Sequence, residues 1–302
     1  MTPSLRNPWL HTSPAGLLLT LCLVVLTAAC GSKGEDDDGG PGPSPMPNTV
    51  RYTAIGASDA IGFGSSVPCV PFDTVCANGR GYVAIIARTL RSSGKEVILS
   101  NLGVPGQVLG PEIQQIGNTY GRGIPGNFLQ QQMPFVRSGV TLVTIFAGGN
   151  DTNAVATAID RGAAGSNVNA YIDARVQTFA ADYQTLVRGV RERAGGSPRI
   201  IVLNLPNFAG LPYTQKFTST QRRWMQRISV GFSRAANALR DQGVHVVDLL
   251  CDARSYQPGN YSSDGFHPDD SGYEFIAEKV LQAIGTDPPP PPNDCSFARI
   301  GQ

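Results

Sequence analysis

From residue 49 onward, short apolar runs alternate with longer stretches in which apolar residues return every three or four positions. The runs at 50–55, 96–99, 141–146 (TLVTIF), 199–203 (RIIVL) and 244–249 (VHVVDL) read as five strands. The continuous ones have the character of parallel strands buried on both faces. Between them the period changes. Residues 81–92 read as a helix. Ile172, Val176, Phe179, Tyr183, Leu186 and Val190 mark one face of a long helix, and Met225, Ile228, Phe232, Ala235 and Leu239 mark another. A last helix begins near Ser271, capped by Asp270 or Ser271, and runs to about residue 284. Strands separated by helices imply a three-layer α/β/α sandwich around a mostly parallel five-stranded sheet. Ligands of such sheets sit beyond the carboxyl ends of the strands. No internal repeat interrupts this pattern.

The chain ends read differently. Arg6 precedes an apolar run at 16–29 (GLLLTLCLVVLTAA), shorter than the roughly 20 residues that span a bilayer. It reads as the core of a signal peptide, residues 1–29. The following Cys30-Gly31, after Leu26-Thr27-Ala28-Ala29, resembles a bacterial lipoprotein processing site, with Thr27 departing from the branched apolar residue commoner there. That resemblance implies a lipid on Cys30, export, and anchoring to the cell envelope, at the outer membrane in a cell that has one. Residues 30–48, with Glu35-Asp36-Asp37-Asp38 and many glycines and prolines, read as a flexible tether. Residues 49–285 are the domain, and 286–302 are a tail stiffened by Pro288 to Pro292.

A formal net charge of +1 gives no reason to expect nucleic acid as a partner. The densest basic group, Arg222, Arg223 and Arg227, reads as a solvated helix face. With Cys22 removed and Cys30 lipidated, four cysteines remain, and an exported protein favours bridges. Cys69 and Cys76 share a loop and are paired, which leaves Cys251 for Cys295. No C-x-x-C occurs and only His245 and His267 remain in the mature chain, so no metal site is expected.

Four short motifs fall at strand ends or in the final loop: Gly56-Ala57-Ser58-Asp59-Ala60-Ile61-Gly62, Asn101-Leu102-Gly103-Val104-Pro105-Gly106, Gly148-Gly149-Asn150-Asp151 and Asp264-Gly265-Phe266-His267-Pro268. Each alone is an ordinary turn. Together and in this order they resemble the SGNH (GDSL-like) hydrolase superfamily over residues 49–285, which implies its flavodoxin-like fold. The resemblance implies Ser58 as nucleophile, His267 as base and Asp264 as the acid that orients it. The backbone N–H groups of Ser58 and Gly106, with the Asn150 amide, become the oxyanion donors. No cofactor is implied. The chain departs from the family at Ala57, where an aspartate usually precedes the serine, and at Asp59, where an apolar residue is common. A negative charge at Asp59 disfavours anionic substrates. His245, in a strand between valines, reads as structural. Asp269 and Asp270 compete with Asp264 but sit where a helix cap belongs. The loops 64–79 and 117–126 are expected to frame the cleft, with Phe63, Phe72 and Tyr120 either lining an acyl or sugar pocket or packing the loops.

The expected function is hydrolysis of carboxylic esters, from short acyl groups on glycans to lipids. An acyltransferase on the same fold and a non-catalytic surface-binding lipoprotein are the rival readings. An intact set of Ser58, Asn150, Asp264 and His267 weighs against the binder.

Overall fold

In the computed structural model, residues 45–70, 76–286, 291 and 295–299 are described. The expected signal peptide, Cys30, most of the expected tether, Phe72 and most of the Pro-rich tail lie outside them. Five strands form one sheet in the order β2-β1-β3-β4-β5: β1 (Thr49–Gly56), β2 (Glu96–Asn101), β3 (Leu142–Phe146), β4 (Arg199–Leu203) and β5 (His245–Val247). Every pairing is parallel, so the expected "mostly parallel" sheet is wholly parallel. All five residues of β3, the central strand, are buried. This is why the sequence there shows no polar alternation.

Seven helices accompany the strands: α1 (Tyr82–Ser92), α2 (Pro111–Thr119), α3 (Phe128–Gln131), α4 (Gly149–Asp160), α5 (Val168–Ala194), α6 (Ser219–Asn237) and α7 (Asp270–Gly285). The helix α1 packs with α7, and α5 packs with α6. In α5 the predicted stripe is buried at Ile172, Phe179, Tyr183, Leu186 and Val190. In α6, Met225, Ile228 and Phe232 are buried, and a capping box at Thr218 and Gln221 satisfies the first turn. Leu239 lies past the end of α6 in a short 3-10 turn. The basic group on α6 is not simply solvated, because Arg227 bonds Asp173 of α5 at 2.8 Å.

Two strands differ from expectation by more than one residue at an end. β2 extends two residues further, to Asn101. β5 is shorter, because Asp248 leaves the ladder to accept from Asn204 Nδ2 at 2.9 Å. The cap of α7 also moves. Asp269 accepts the N–H of Gly272 at 2.9 Å, so the N-cap is Asp269 rather than Asp270 or Ser271. Asp270 instead accepts from the backbone and hydroxyl of Ser66, tying the turn after β1 to the start of α7.

Both expected disulfides are present, Cys69–Cys76 and Cys251–Cys295. The second fastens the tail beside the segment that leads into the final loop, where Phe297 stacks on Tyr256 with ring centroids 3.9 Å apart. Among the described residues no group of histidines, cysteines and carboxylates has metal-site geometry.

Candidate active site

The carboxyl ends of β1, β2 and β3 deliver the first three motifs to one edge of the sheet, and the loop before α7 brings the fourth. Ser58 follows β1 in a tight turn closed by Ala60 N–H to Ala57 O and Phe63 N–H to Ser58 O. It is 5% exposed. Ser58 Oγ lies 2.8 Å from His267 Nε2, and His267 Nδ1 lies 2.6 Å from Asp264 Oδ2. Asp264 Oδ1 accepts the backbone N–H groups of Phe266 and His267 and the hydroxyl of Ser262. Partial burial alone raises the Asp264 pKa. The bonds from the His267 ring and the two backbone N–H groups outweigh it and bring the carboxyl down to about 2. An ionised carboxylate therefore faces Nδ1 at neutral pH, and holds the ring with Nε2 toward the serine.

Gly64 lets the turn after β1 approach the histidine. Its φ is +96°, and a Cβ there meets the His267 Cβ and the Pro268 carbonyl at 2.7 Å. The ring of Phe63 packs against the His267 imidazole with centroids 4.7 Å apart, and the Tyr273 hydroxyl donates to the Phe63 carbonyl. Phe63 thus borders the histidine. Tyr120 lines neither the cavity nor the groove described below.

Gly106 has φ +81°, a backbone that other residues rarely adopt. Among the described residues neither its N–H nor that of Ser58 is donated to another protein group. Asn150, in the first turn of α4, donates from Nδ2 to the Gln107 carbonyl at 2.9 Å. An amide nitrogen carries two hydrogens, so this bond orients the group and leaves a second donor.

Three further residues, Gln132, Gln107 and Asp151, hold these pieces together. Gln132, wholly buried, accepts the Gly56 N–H and donates to the Gly56 carbonyl, so it clamps the end of β1. It also donates to Gln107 Oε1 at 2.6 Å, beside Gly106. Asp151 Oδ1 accepts the Leu109 N–H at 2.9 Å and ties the same loop to α4. Nothing in the sequence marks Gln107 and Gln132, because isolated polar residues read as solvated, and the third motif names Asp151 without revealing its burial.

Two spaces adjoin the site. A cavity of about 60 Å³ lies under the final loop, walled by Phe146, Leu205, Phe208, Leu249, Phe266 and Phe275, with Ala57, Asp59 and Asn150 at its edge. An open groove of about 660 Å³ lies on the other side, lined by Arg122, Asn150, Asn153, Tyr213, Lys216, Asp264 and His267. Asn150 borders both. Asp59 faces the cavity, and burial is the main cause that raises its pKa. The His267 ring and its own N–H work against that rise, and Asp264 adds to it. The change is in the direction of the neutral carboxyl.

Of the residues expected from the sequence, Ser58, Asp264 and His267 meet, and Gly106 and Asn150 stand on adjoining loops. His245 opens β5, at the amino end of the sheet and away from the site. The stretch 117–126 includes the last turn of α2 and contributes Arg122 to the groove.

No curated protein matches the chain. Among solved structures, a lipase from a goat rumen metagenome is similar at 21% identity and TM-score 0.52, covering 78% of this chain and 98% of its own. An extracellular lipase from Streptomyces rimosus is similar at 18% identity and TM-score 0.52, covering 78% and 99%. A catalytic mutant of an acetylxylan esterase from Geobacillus stearothermophilus is similar at 17% identity and TM-score 0.50, covering 78% and 94%. At these identities the likeness is one of fold. The sequence matches the model of the GDSL-like Lipase/Acylhydrolase family over residues 54–275, most of the chain. The protein belongs to that family and is a carboxylic ester hydrolase.

Proposed function

We propose that the protein is a serine esterase that removes short acyl groups from a polar alcohol through Ser58, His267 and Asp264. The observation that carries this reading is the continuous pair of contacts, Ser58 Oγ to His267 Nε2 at 2.8 Å and His267 Nδ1 to Asp264 Oδ2 at 2.6 Å. Ser58 Oγ attacks the ester carbonyl while His267 Nε2 takes its proton, and Asp264 stabilises the imidazolium. The N–H groups of Ser58 and Gly106 and the amide of Asn150 receive the developing oxyanion. The alcohol leaves with the proton from His267. Water then attacks the acyl-enzyme with the same base, and Ser58 is restored.

Size and polarity support the choice of substrate. One water-sized group needs roughly 10–15 Å³ on the measure used for such cavities, so the apolar cavity takes on the order of four to six heavy atoms. That suits an acyl group of butyryl size and excludes a fatty acyl chain. The groove is an order of magnitude larger and lined by amide, hydroxyl, cationic and tyrosine side chains, which suits a sugar as the alcohol. The acetylxylan esterase among the similar structures is in keeping with an esterified glycan. By the resemblance at Cys30, the enzyme works as an exported protein, lipid-anchored to the cell envelope.

Hydrolysis of p-nitrophenyl esters from acetate to palmitate tests the reading, with Ser58→Ala alongside. Turnover is expected to be greatest at two to six carbons and to fall to background in Ser58→Ala, with the unfolding transition unchanged. Turnover that survives Ser58→Ala sinks the nucleophile assignment. A palmitate optimum sinks the short-acyl assignment.

A further inference from the structure

The cavity under the final loop is mostly apolar, and among its polar lining residues Asp59 and Ser255 are two that the proposed mechanism leaves unused. Asp59 directly follows Ser58, and among the described residues its carboxyl is bonded only by its own backbone N–H. Ser255 is 5% exposed, and among the described residues its Oγ has no hydrogen-bond partner. Both line the same cavity. Neither position is loose. The N–H of Ser255 donates to the Asp252 carbonyl and its own carbonyl accepts the Tyr261 hydroxyl, while the turn that carries Asp59 is closed by Gly62 N–H to Asp59 O. The fold therefore holds one acceptor and one hydroxyl at the wall of a mostly apolar space.

Buried polar groups are rarely left unpaired, and an apolar guest leaves Ser255 Oγ so. A guest hydroxyl placed between Ser255 and Asp59 gives both a partner. Its O–H donates to the Asp59 carboxyl, which accepts whether protonated or ionised, and its lone pair accepts from Ser255 Oγ–H. A cationic guest fits less well, because Arg254 also lines the cavity and its charge is already matched by Asp252 and Glu278. We infer that the cavity selects short acyl groups bearing a hydroxyl, as in 2- or 3-hydroxyacyl esters, with Asp59 and Ser255 reading that hydroxyl. This inference rests on the proposed Ser58 esterase and on the acyl group occupying this cavity. Sites built to bond a substrate hydroxyl discriminate strongly against the analogue that lacks it.

The test compares ethyl butyrate, ethyl 2-hydroxybutyrate and ethyl 3-hydroxybutyrate, followed by acid release. The proteins are the wild type, Asp59→Leu, Asp59→Asn and Ser255→Ala. The readout is the ratio of kcat/KM for each hydroxy ester to that for butyrate, within each protein. A general loss of activity, such as one acting through His267, divides out of this ratio. For at least one hydroxy ester the wild-type ratio is expected to exceed that of Asp59→Leu by about tenfold or more, the worth of one good hydrogen bond. Asp59→Asn keeps an acceptor and retains most of the preference, and Ser255→Ala loses part of it. Ser58-dependent turnover with the same ratios in wild type and Asp59→Leu overturns the inference, because water then satisfies both groups, and leaves the esterase reading standing. No Ser58-dependent turnover of any of the three esters, or of the p-nitrophenyl series, overturns the esterase reading itself. Should Asp59→Leu fail to fold, the ratios in Ser255→Ala decide, and ratios equal to the wild type's overturn the inference.

Discussion

Replacing Asp151 by asparagine tests whether the site's framework carries a pH-dependent cost. Asp151 is 1% exposed. One oxygen accepts the Leu109 N–H, and the other has no hydrogen-bond partner among the described residues. Burial is the main cause that raises its pKa, from 3.8 to about 7. Hydrogen bonds from Leu109 and nearby backbone work against the rise, and Asp182 adds to it. The unfolded chain loses this proton near pH 4 while the folded chain keeps it until about pH 7. The folded state binds more protons across that window, so stability is greatest below pH 4 and falls as pH rises through 7. A shift of this size is worth about 4 kcal/mol in all, of which about 2–3 kcal/mol falls between pH 5 and pH 8. Asp182, raised to about 6 mainly by burial and then by Glu112, acts in the same direction. Asparagine keeps the acceptor for Leu109 and never ionises. In urea unfolding the wild type is expected to lose more stability between pH 5 and pH 8 than Asp151→Asn does, by roughly 1 M in midpoint at a slope of about 2 kcal/mol/M. Asp151→Asn is then the more stable protein at pH 8. An identical fall in both proteins, or a variant weaker than wild type at pH 8, refutes the reasoning.

Asn150→Ala removes an oxyanion donor and the bond to the Gln107 carbonyl. It is expected to lower kcat by about a hundred- to a thousandfold with a smaller change in KM, and a larger effect on KM than on kcat in steady-state kinetics counts against the role. Cys30→Ser in the full chain, expressed in a bacterial host, is expected to move the protein from the membrane to the soluble fraction and to remove a lipid-sized mass from its N-terminal peptide. An unmodified Cys30 in the wild type rules out the anchor.

The sequence alone was enough for the layered architecture, because a strand buried on both faces and a helix with one buried face leave periodic signatures that depend only on local geometry. It also carried Ser58, Asp264 and His267, since an ordered set of short motifs at strand ends is itself a linear pattern. Other features had no such signature. Asp151, Thr152, Asn153 and Ala154 at the start of α4 are all buried, so that helix has no polar stripe to reveal its period. Gly117 near the end of α2 has the same effect there. Gln107, Gln132 and Asp151 look solvated along the chain, yet they are buried and bonded to one another's loops. The cap of α7 fell to Asp269 because the approach of Ser66 engages Asp270. Local preference chose the elements and set the short motifs at their ends. Tertiary packing decided which polar groups are buried, what they bond and how large a guest the cavity admits, because each of these depends on contacts between segments far apart in the chain.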